Sequence, residues 1–383
     1  MSLETVVILA AGEGTRMKSS TPKVLHSISG RSLVGHVLTA VTALSPQQVR
    51  VVVGAGREQV EAHLSEIAPH VTTVFQEKRG GTGHATQLAL DGLKASGTIL
   101  VLAGDTPMLT GSSLTELLNA HHAGGFTASV LTAEHPDPTG YGRIIRADDD
   151  SLLRIVEERD ADEIQRDILE VNSGVYAFDA IKLAGAIGKL KNDNSQGELY
   201  LTDVIEILRN EGGKIAAVLI DDFIEILGVN DRVQLAESAA LLRDRINEDL
   251  MRDGVTIVDP LSTWVDATAT VASDVVLMPG TAISGTTTVA AGAVIGPRTT
   301  LVDCTVGTGA RVIESRCTEA IIGEGASVGP YTFLRPGTKL LPHSKVGAYV
   351  EMKNATLGEG SKVPHLSYVG DAIIGEGTNI GAA

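Results

Sequence analysis

Mostly apolar runs alternate with helical patterns over the first 228 residues. The run at residues 6–9 resembles a strand buried on both faces of a parallel sheet, and residues 98–102 resemble another buried strand. Residues 49–53 and 71–76 predict two further strands. Between them, residues 58–67 and an apolar stripe that starts after Ser32 predict helices, with Ser32 as an N-cap. This alternation predicts a doubly wound, Rossmann-like α/β sheet, whose ligands lie beyond the carboxyl ends of its strands.

Residues 229–253 read as one long amphipathic helix. Its apolar side is formed by Val233, Leu235, Ala236, Ala239, Leu242, Ile246 and Leu250. Charged residues occupy the opposite side, which is the pattern of a helix with one packed face. We predict that this helix connects the α/β domain, residues 1–228, to a second domain, residues 254–383.

Aliphatic residues recur at every sixth position in the second domain. They are Val271, Leu277, Ile283, Val289, Ile295 and Leu301, then, after a break in register, Ile322, Val328, Leu334, Leu340, Val346 and Met352, and, after one shortened step, Leu357, Val363 and Val369. This period indicates a parallel β-helix of hexapeptide repeats, in which each face contributes one inward side chain. A β-sandwich would alternate with period two instead.

The sequence stops inside this repeat, at residues 380–383, without a polar cap. A solenoid normally needs a cap, because its last coil exposes apolar side chains and strand edges. We therefore expect the β-helix domain to be incomplete at its C-terminus.

Charge and cysteine content narrow the class of protein. The formal net charge is −16, which argues against nucleic acid or an anionic membrane as a partner. Cys304 and Cys317 are the only cysteines, so we expect small buried thiols in a reducing compartment. No basic signal-peptide region and no apolar stretch of about 20 residues is present. We expect a cytoplasmic protein.

A glycine turn followed by cations lies directly after the first predicted strand, in the string TVVILAAGEGTRMKSSTPK. Gly12 and Gly14 keep side chains away from the backbone, and Arg16, Lys18 and Lys23 follow. Together they suggest a site for polyphosphate. The string lacks the third glycine of a dinucleotide fingerprint and the Gly-Lys-Ser/Thr of a Walker A loop. The glycine spacing alone would also suit an ordinary tight turn.

The longer strings resemble a known family. LAAGEGTRM and TPKVL are similar to the signature of the sugar-phosphate nucleotidyltransferases. With GGTGHA, GDTP, TGYGRI, IVEERDA, VNSGVYAF, ELYLTD, GVNDRVQL, FLRPGT, EMKN and KVPHLSYVGDA, the whole chain resembles the bacterial bifunctional N-acetylglucosamine-1-phosphate uridyltransferases and glucosamine-1-phosphate N-acetyltransferases. The resemblance implies Mg²⁺-dependent transfer of UMP from UTP to N-acetylglucosamine-1-phosphate, which gives UDP-N-acetylglucosamine and pyrophosphate.

The resemblance also implies roles for residues of the first domain. The uridine nucleotide should lie against Leu9, Ala10, Ala11 and Gly12, with the catalytic cations Arg16 and Lys23 on its phosphates. Gln76, Gly81 and Thr82 should contact the uracil and ribose, with Ala103 and Gly104 in the same site. Asp105 and Asn230 should hold Mg²⁺, and Gly142, Glu157 and Asn172 should hold the amino sugar. A carboxylate and an amide suit Mg²⁺, which keeps waters and takes further ligands from phosphates.

In the second domain the resemblance implies acetyl transfer from acetyl-CoA to glucosamine-1-phosphate. Arg335, Lys353, Tyr368 and Asn379 match the sugar-phosphate site, His365 the base and Ala382 the acetyl-CoA site. Arg335 and Lys353 are eighteen positions apart, so three hexapeptide steps can place them on one face of adjacent coils. The family's solenoid continues beyond residue 383, so we expect acetyl transfer to be impaired or lost. The resemblance also implies a left-handed β-helix and a homotrimer.

Other interpretations stay open at this point. Asp105 could cap a helix before Thr106, and Asn230 could cap the connector helix. Arg335 and Lys353 could be solvated surface cations. We also expect His343, at a corner of the β-helix, to be solvated and without a catalytic role. The whole protein could be an ADP-glucose or GDP-mannose pyrophosphorylase with a regulatory β-helix, or a scaffold that resembles the guanine-exchange subunits of translation initiation.

Overall fold

The computed structural model describes residues 3–381. They form two compact units, the first containing the described residues up to His26 and Ser32–Ser238, the second containing Ser27–Arg31 and the described residues from Ala239 onwards. None of the helices in the described chain combines the length and the apolar character needed to cross a bilayer.

The helices lie mainly in the first unit. They are α1 (Leu33–Thr42), α2 (Arg57–Ile67), α3 (Gly81–Leu90), α4 (Gly111–Gly124), α5 (Glu163–Arg166), α6 (Ala180–Ile187), α7 (Asp203–Asn210) and α8 (Arg232–Arg252). The Ser32 side chain accepts a hydrogen bond from the backbone N–H of Gly35, which confirms the predicted N-cap of α1.

The first unit is built on a mixed sheet. The strands before α8 are β1 (Leu3–Ala10), β2 (Ser27–Ile28), β3 (Arg31–Ser32), β4 (Gln48–Val53), β5 (Thr72–Phe75), β6 (Thr98–Ala103), β7 (Ala128–Glu134), β8 (Arg143–Arg146), β9 (Leu152–Val156), β10 (Glu170–Asp179) and β11 (Ile215–Ile220). The main sheet has the order β11-β7-β10-β6-β1-β4-β5, with β8 and β9 joined to β10, and β2 pairs only with β3.

Strand direction determines where the loops of this sheet meet. β1 runs parallel to β4 and β6, whereas β10 runs antiparallel to β6 and β7. The start of β10 therefore lies at the same edge of the sheet as the carboxyl ends of β1 and β6. Ligands of such sheets bind at this edge.

The alternation of side chains along β1 explains the apolar run at residues 6–9. Val6 and Ile8 belong to one hydrophobic core with residues of α1 and α4, whereas Val7 belongs to a second core with residues of α3, α6 and α7. All three are fully buried. A strand covered on both faces has no position for a polar side chain.

The second unit is a left-handed parallel β-helix, which confirms the predicted fold class. Its strands are β12 (Thr256–Ile257), β13 (Trp264–Val265), β14 (Thr270–Val271), β15 (Val276–Leu277), β16 (Ala282–Ser284), β17 (Thr288–Val289), β18 (Val294–Ile295), β19 (Thr300–Val302), β20 (Thr305–Val306), β21 (Arg311–Val312), β22 (Arg316–Thr318), β23 (Ile321–Ile322), β24 (Ser327–Val328), β25 (Phe333–Leu334), β26 (Lys339–Leu340), β27 (Lys345–Ala348), β28 (Glu351–Lys353), β29 (Thr356–Leu357), β30 (Lys362–His365), β31 (Tyr368–Gly370) and β32 (Ile373–Ile374). Every third strand belongs to the same sheet, and each of the three sheets has seven strands.

The predicted inward positions are buried from Val271 through Val369. The break in the sequence repeat is not a break in the solenoid. Val306, Val312 and Cys317 are buried there, and their strands stay paired with the coil before and the coil after. Shortened corners replace the missing residues, so the ladder keeps its register although the sequence period does not. Cys304 and Cys317 are free, buried thiols, as predicted.

Candidate active site

The turn after β1 brings the backbone close to a lysine. Gly14 has φ +62°, and a Cβ atom built on it would lie 2.6 Å from the Cβ atom of Lys23. Only glycine combines this conformation with so close an approach. The short 3₁₀ turn Lys23–Leu25 therefore packs directly on the glycine turn, which fixes the base of the Lys23 side chain.

Most of the predicted nucleotide residues line one cavity of about 300 Å³. They are Leu9, Ala10, Ala11, Gly12, Lys23, Gln76, Gly81, Thr82, Ala103, Asp105, Glu157 and Asn172. Two further cavities share part of this wall: one of about 580 Å³ reaches Arg16, and one of about 280 Å³ reaches Gly142. Gly104 lines none of the three, and instead donates its backbone N–H to the carbonyl of Leu9.

Lys23, Asp105 and Asn230 form the charged centre of this site. The Lys23 ammonium group contacts the Asp105 carboxylate and donates a hydrogen bond of 3.1 Å to the Asn230 amide oxygen. The Lys23 and Asp105 side chains are only 12% and 20% exposed. A carboxylate oxygen and an amide oxygen therefore converge on a single cation.

Neither capping alternative describes the structure. The helix after Asp105 is α4, which begins at Gly111 and is capped by Thr110. At the start of α8, the Asp231 carboxylate accepts from the backbone N–H groups of Val233 and Gln234. Asp105 and Asn230 are therefore free of a capping role and point their oxygens at Lys23.

The same oxygens provide a test of the implied Mg²⁺ site. No group of three or more His, Cys, Asp or Glu side chains that could hold a metal occurs within residues 3–381. Asp105 and Asn230 nevertheless offer hard oxygen donors around a point already occupied by a positive charge. Mg²⁺ is commonly held by one or two protein oxygens, with waters and substrate phosphates as its other ligands. The residues present fit the ion.

Two of the cations that follow the glycine turn reach the cavities, and the third does not. Arg16 is exposed and lines the second and third cavities. Lys18 is exposed and lines none of the three. Of these three cations, Arg16 and Lys23 therefore remain candidates for contact with a polyphosphate.

Gln76 is held in a defined orientation in the first cavity. It is 7% exposed, and its amide nitrogen lies 3.2 Å from the carbonyl oxygen of Gly81 and 3.1 Å from Nδ1 of His84. Because a carbonyl only accepts, the Gly81 contact fixes the NH₂ side of the amide. Beside it, the Thr82 hydroxyl accepts from the backbone N–H of Leu201.

Glu157 and Asn172 form the other end of the site. The Thr202 hydroxyl donates to the Glu157 carboxylate at 3.0 Å, and Asn172 donates to the Tyr176 hydroxyl at 2.7 Å. Burial raises the pKa of Glu157; the Thr202 hydrogen bond opposes this shift in part. Gly142 accepts the backbone hydrogen bond of Asn172. The three predicted sugar residues therefore lie together.

Sequence reasoning missed several residues that line these cavities. Arg79 lines both the first and the second cavity and forms a 3.0 Å ion pair with Glu13. Tyr176 and Glu198 also line the first cavity. Arg79 directly precedes the glycine pair of GGTGHA. A cation beside a glycine turn was therefore the sequence signal that could have identified it as a residue of the site. Nothing local in the sequence distinguishes Tyr176 from a core aromatic residue.

The predicted solenoid residues lie on its last described coils. Arg335 directly follows β25, and Lys353 ends β28, the strand paired with β25. They therefore lie on adjacent coils of one face, as the spacing predicts. Arg335 forms a 2.8 Å ion pair with Glu351 on the surface of the β-helix. Tyr368 follows on the next coil, opposite Glu351.

His365 and Asn379 lie on the neighbouring sheet of the β-helix. His365 ends β30 and is exposed, and Asn379 forms a single bridge with Lys362 of the same strand. His343 is also exposed, as expected of a corner residue. Ala382 lies outside the described residues.

Comparisons with known proteins agree with both units. A model of the MobA-like NTP transferase domain matches residues 6–175. A protein of Streptomyces avermitilis named "Bifunctional protein GlmU" is 55% identical over 381 residues, covering 99% of this chain and 79% of the relative. Proteins of the same name from Corynebacterium efficiens and Mycolicibacterium vanbaalenii are 52% and 53% identical, covering 100% and 99% of this chain and 80% and 78% of the relatives. With such identity along almost its whole length, the chain belongs to the family of bifunctional GlmU proteins.

Proposed function

We propose that the first unit transfers UMP from UTP to N-acetylglucosamine-1-phosphate. The observation that carries this proposal is the convergence of Lys23, Asp105 and Asn230 beside the Leu9–Gly12 wall. In the reaction, a phosphate oxygen of the sugar phosphate attacks the α-phosphorus of UTP. A new P–O bond forms, the bond to the β-phosphate breaks, and pyrophosphate leaves.

Phosphoryl transfer of this kind depends on positioning and on neutralising charge. Arg16 and Lys23 supply fixed positive charge for the phosphates, and the backbone of Gly12 allows close approach. Asp105 and Asn230 would hold Mg²⁺, which when bound supplies further positive charge to the phosphate oxygens. Glu157 would accept hydrogen bonds from the hydroxyl and amide groups of the sugar, and Asn172 would exchange hydrogen bonds with them.

The second unit is proposed to acetylate glucosamine-1-phosphate with acetyl-CoA. Arg335 and Lys353 would hold the phosphate, and His365 would take a proton from the glucosamine ammonium group. The free amine then attacks the thioester carbonyl, a C–N bond forms and the C–S bond breaks, and the CoA thiolate leaves and takes up the proton that the nitrogen loses. Acetyl-CoA-dependent thiol release from this 383-residue chain tests the second activity.

Pyrophosphate release tests the first activity. UTP, N-acetylglucosamine-1-phosphate and Mg²⁺ should support fast release, whereas ATP, GTP or glucose-1-phosphate in place of the matching substrate should not. Equal rates with ATP or GTP and glucose-1-phosphate would favour a pyrophosphorylase with a regulatory solenoid. Absence of release with every pair would favour a scaffold.

Assembly and location are proposed on the family resemblance alone. We infer a homotrimer in the cytoplasm, with UTP and the two sugar phosphates as small-molecule partners. Light scattering coupled to gel filtration measures the oligomeric state directly.

A further inference from the structure

Arg143 is an arginine buried in the first unit without a role in the reaction described above. It is 1% exposed and is among the largest fully buried side chains of the described chain. A guanidinium group tolerates burial only when its donors are satisfied and its charge is paired. Arg143 meets both conditions through three separate segments.

The partners of Arg143 are two carbonyls and one carboxylate. Nη1 donates to the carbonyl of Tyr141, and Nε and Nη2 donate to the carbonyl of Arg166 at 3.3 and 3.2 Å. Nη2 also lies 2.8 Å from the Glu158 carboxylate. The planar guanidinium fork thus joins β8, the end of α5 and the segment after β9.

Each member of this ion pair is the chain neighbour of an amino acid that is predicted to hold the amino sugar. Arg143 follows Gly142 and Glu158 follows Glu157, and both Gly142 and Glu157 line the third cavity. β8 and β9 are themselves paired, with Arg143 opposite Val156. The Arg143–Glu158 pair therefore bridges the two chain segments that carry Gly142 and Glu157.

We propose that Arg143 and Glu158 are positioning residues that set the geometry of the amino-sugar end of the site. This proposal rests on the uridyltransferase function proposed above. Lysine cannot replace arginine in this role, because its compact ammonium group lacks the rigid planar fork of donors that reaches Tyr141, Arg166 and Glu158 in one geometry. Displacement of Gly142 relative to Glu157 weakens binding of the sugar, while the nucleotide end, built on β1 and β6, stays in place.

The test compares Arg143→Lys with wild type in the full chain. We expect KM for N-acetylglucosamine-1-phosphate to rise roughly tenfold, the size typical of one misplaced charge-assisted contact, and KM for UTP to change less than about twofold. Glu158→Gln should shift the same constant in the same direction. A merely structural role would alter stability and leave the ratio of the two KM values unchanged.

Arg146→Lys is the matched control. Arg146 lies on the same strand and forms a bidentate pair with Glu170 at 2.7 Å, but it lines none of the three cavities. Its substitution should lower stability and leave both KM values unchanged. Equal KM changes for the two substrates in Arg143→Lys, or a shift in Arg146→Lys of the same size, would overturn the proposal.

Direct binding separates this proposal from the proposed function. Calorimetric titration with UDP-N-acetylglucosamine should show weaker binding to both variants, and titration of Arg143→Lys with UTP should not. Glu158 itself lines the second cavity, so the UTP comparison uses Arg143→Lys alone. A wild type that binds UDP-N-acetylglucosamine but releases no pyrophosphate would refute the function, and the affinities would still decide the role of the pair. Unfolding of Glu158→Gln as well as Arg143→Lys would assign the pair to the fold alone and overturn the proposal.

Discussion

Replacement of Lys23 by methionine changes one charge in the centre of the proposed site and should have two opposite effects. Methionine keeps the length and the apolar stem of the side chain but removes the ammonium group that contacts Asp105 and Asn230. The phosphates then lose a fixed cation. At the same time, the Asp105 carboxylate loses the cation that neutralises it.

The size of both effects follows from the charge pair. Two unit charges about 4 Å apart interact by roughly 4 kcal/mol at an effective dielectric constant of about 20. Because the two side chains are 12% and 20% exposed, water screens part of this, and we take about half, ~2 kcal/mol. A free energy of ~2 kcal/mol corresponds to a factor of roughly 30.

We therefore expect kcat/KM for pyrophosphate release to fall roughly thirtyfold in Lys23→Met, by the loss of transition-state charge stabilisation. Mn²⁺ binding to the nucleotide-free protein, followed by electron paramagnetic resonance, should become tighter by up to the same factor. Lys18→Met is the control, since Lys18 is exposed and lines none of the cavities. A Lys23→Met protein with wild-type kcat/KM and unchanged Mn²⁺ affinity would refute the reasoning.

The remaining predictions concern the histidines and the solenoid. Burial lowers the pKa of His121 from 6.5 to about 4, so the unfolded state alone gains a proton between these values. The free energy of unfolding, measured with urea, should therefore keep its highest value above pH 6.5 and fall by about 1 kcal/mol per pH unit as the pH drops below it. A His121→Gln protein with the same pH slope would contradict this assignment. His365→Gln should lower any acetyl transfer by about a hundredfold or more without changing pyrophosphate release, whereas His343→Gln should change neither; full thiol release from His365→Gln would exclude it as the base. Leu334→Ala should cost about 2–5 kcal/mol of unfolding free energy, and Phe333→Ala, which removes a partly exposed neighbour, should cost less; equal losses would contradict the inward assignment.

The fold was predictable because burial imposes strict periods on this sequence. Residues 6–8 of β1 are covered on both faces, so they had to be apolar, and the β-helix admits one inward residue per face. Residues 302–321 were the exception. There the corners are shorter, and a rule based on counting six residues lost the positions of Val306, Val312 and Cys317, although each is buried.

The site was predictable where local sequence fixes the backbone. Gly14 and Lys23 belong to one short motif, and the structure brings them into contact. Arg143 was not predictable, because its partners Glu158 and Arg166 are recognisable only after β8, β9 and α5 have packed together. A single sequence shows a charged residue but not its burial.

The shortened corners of the β-helix have a consequence for how this domain tolerates change. The strands hold their alignment through residues 302–321 although steps of five residues replace steps of six. The number of residues in a corner can therefore change without changing the register of the strands on neighbouring coils. Insertions and deletions at corners can reshape the outer surface while Arg335 and Lys353 stay one coil apart. The spacing between site residues on neighbouring coils is therefore insensitive to changes in corner length.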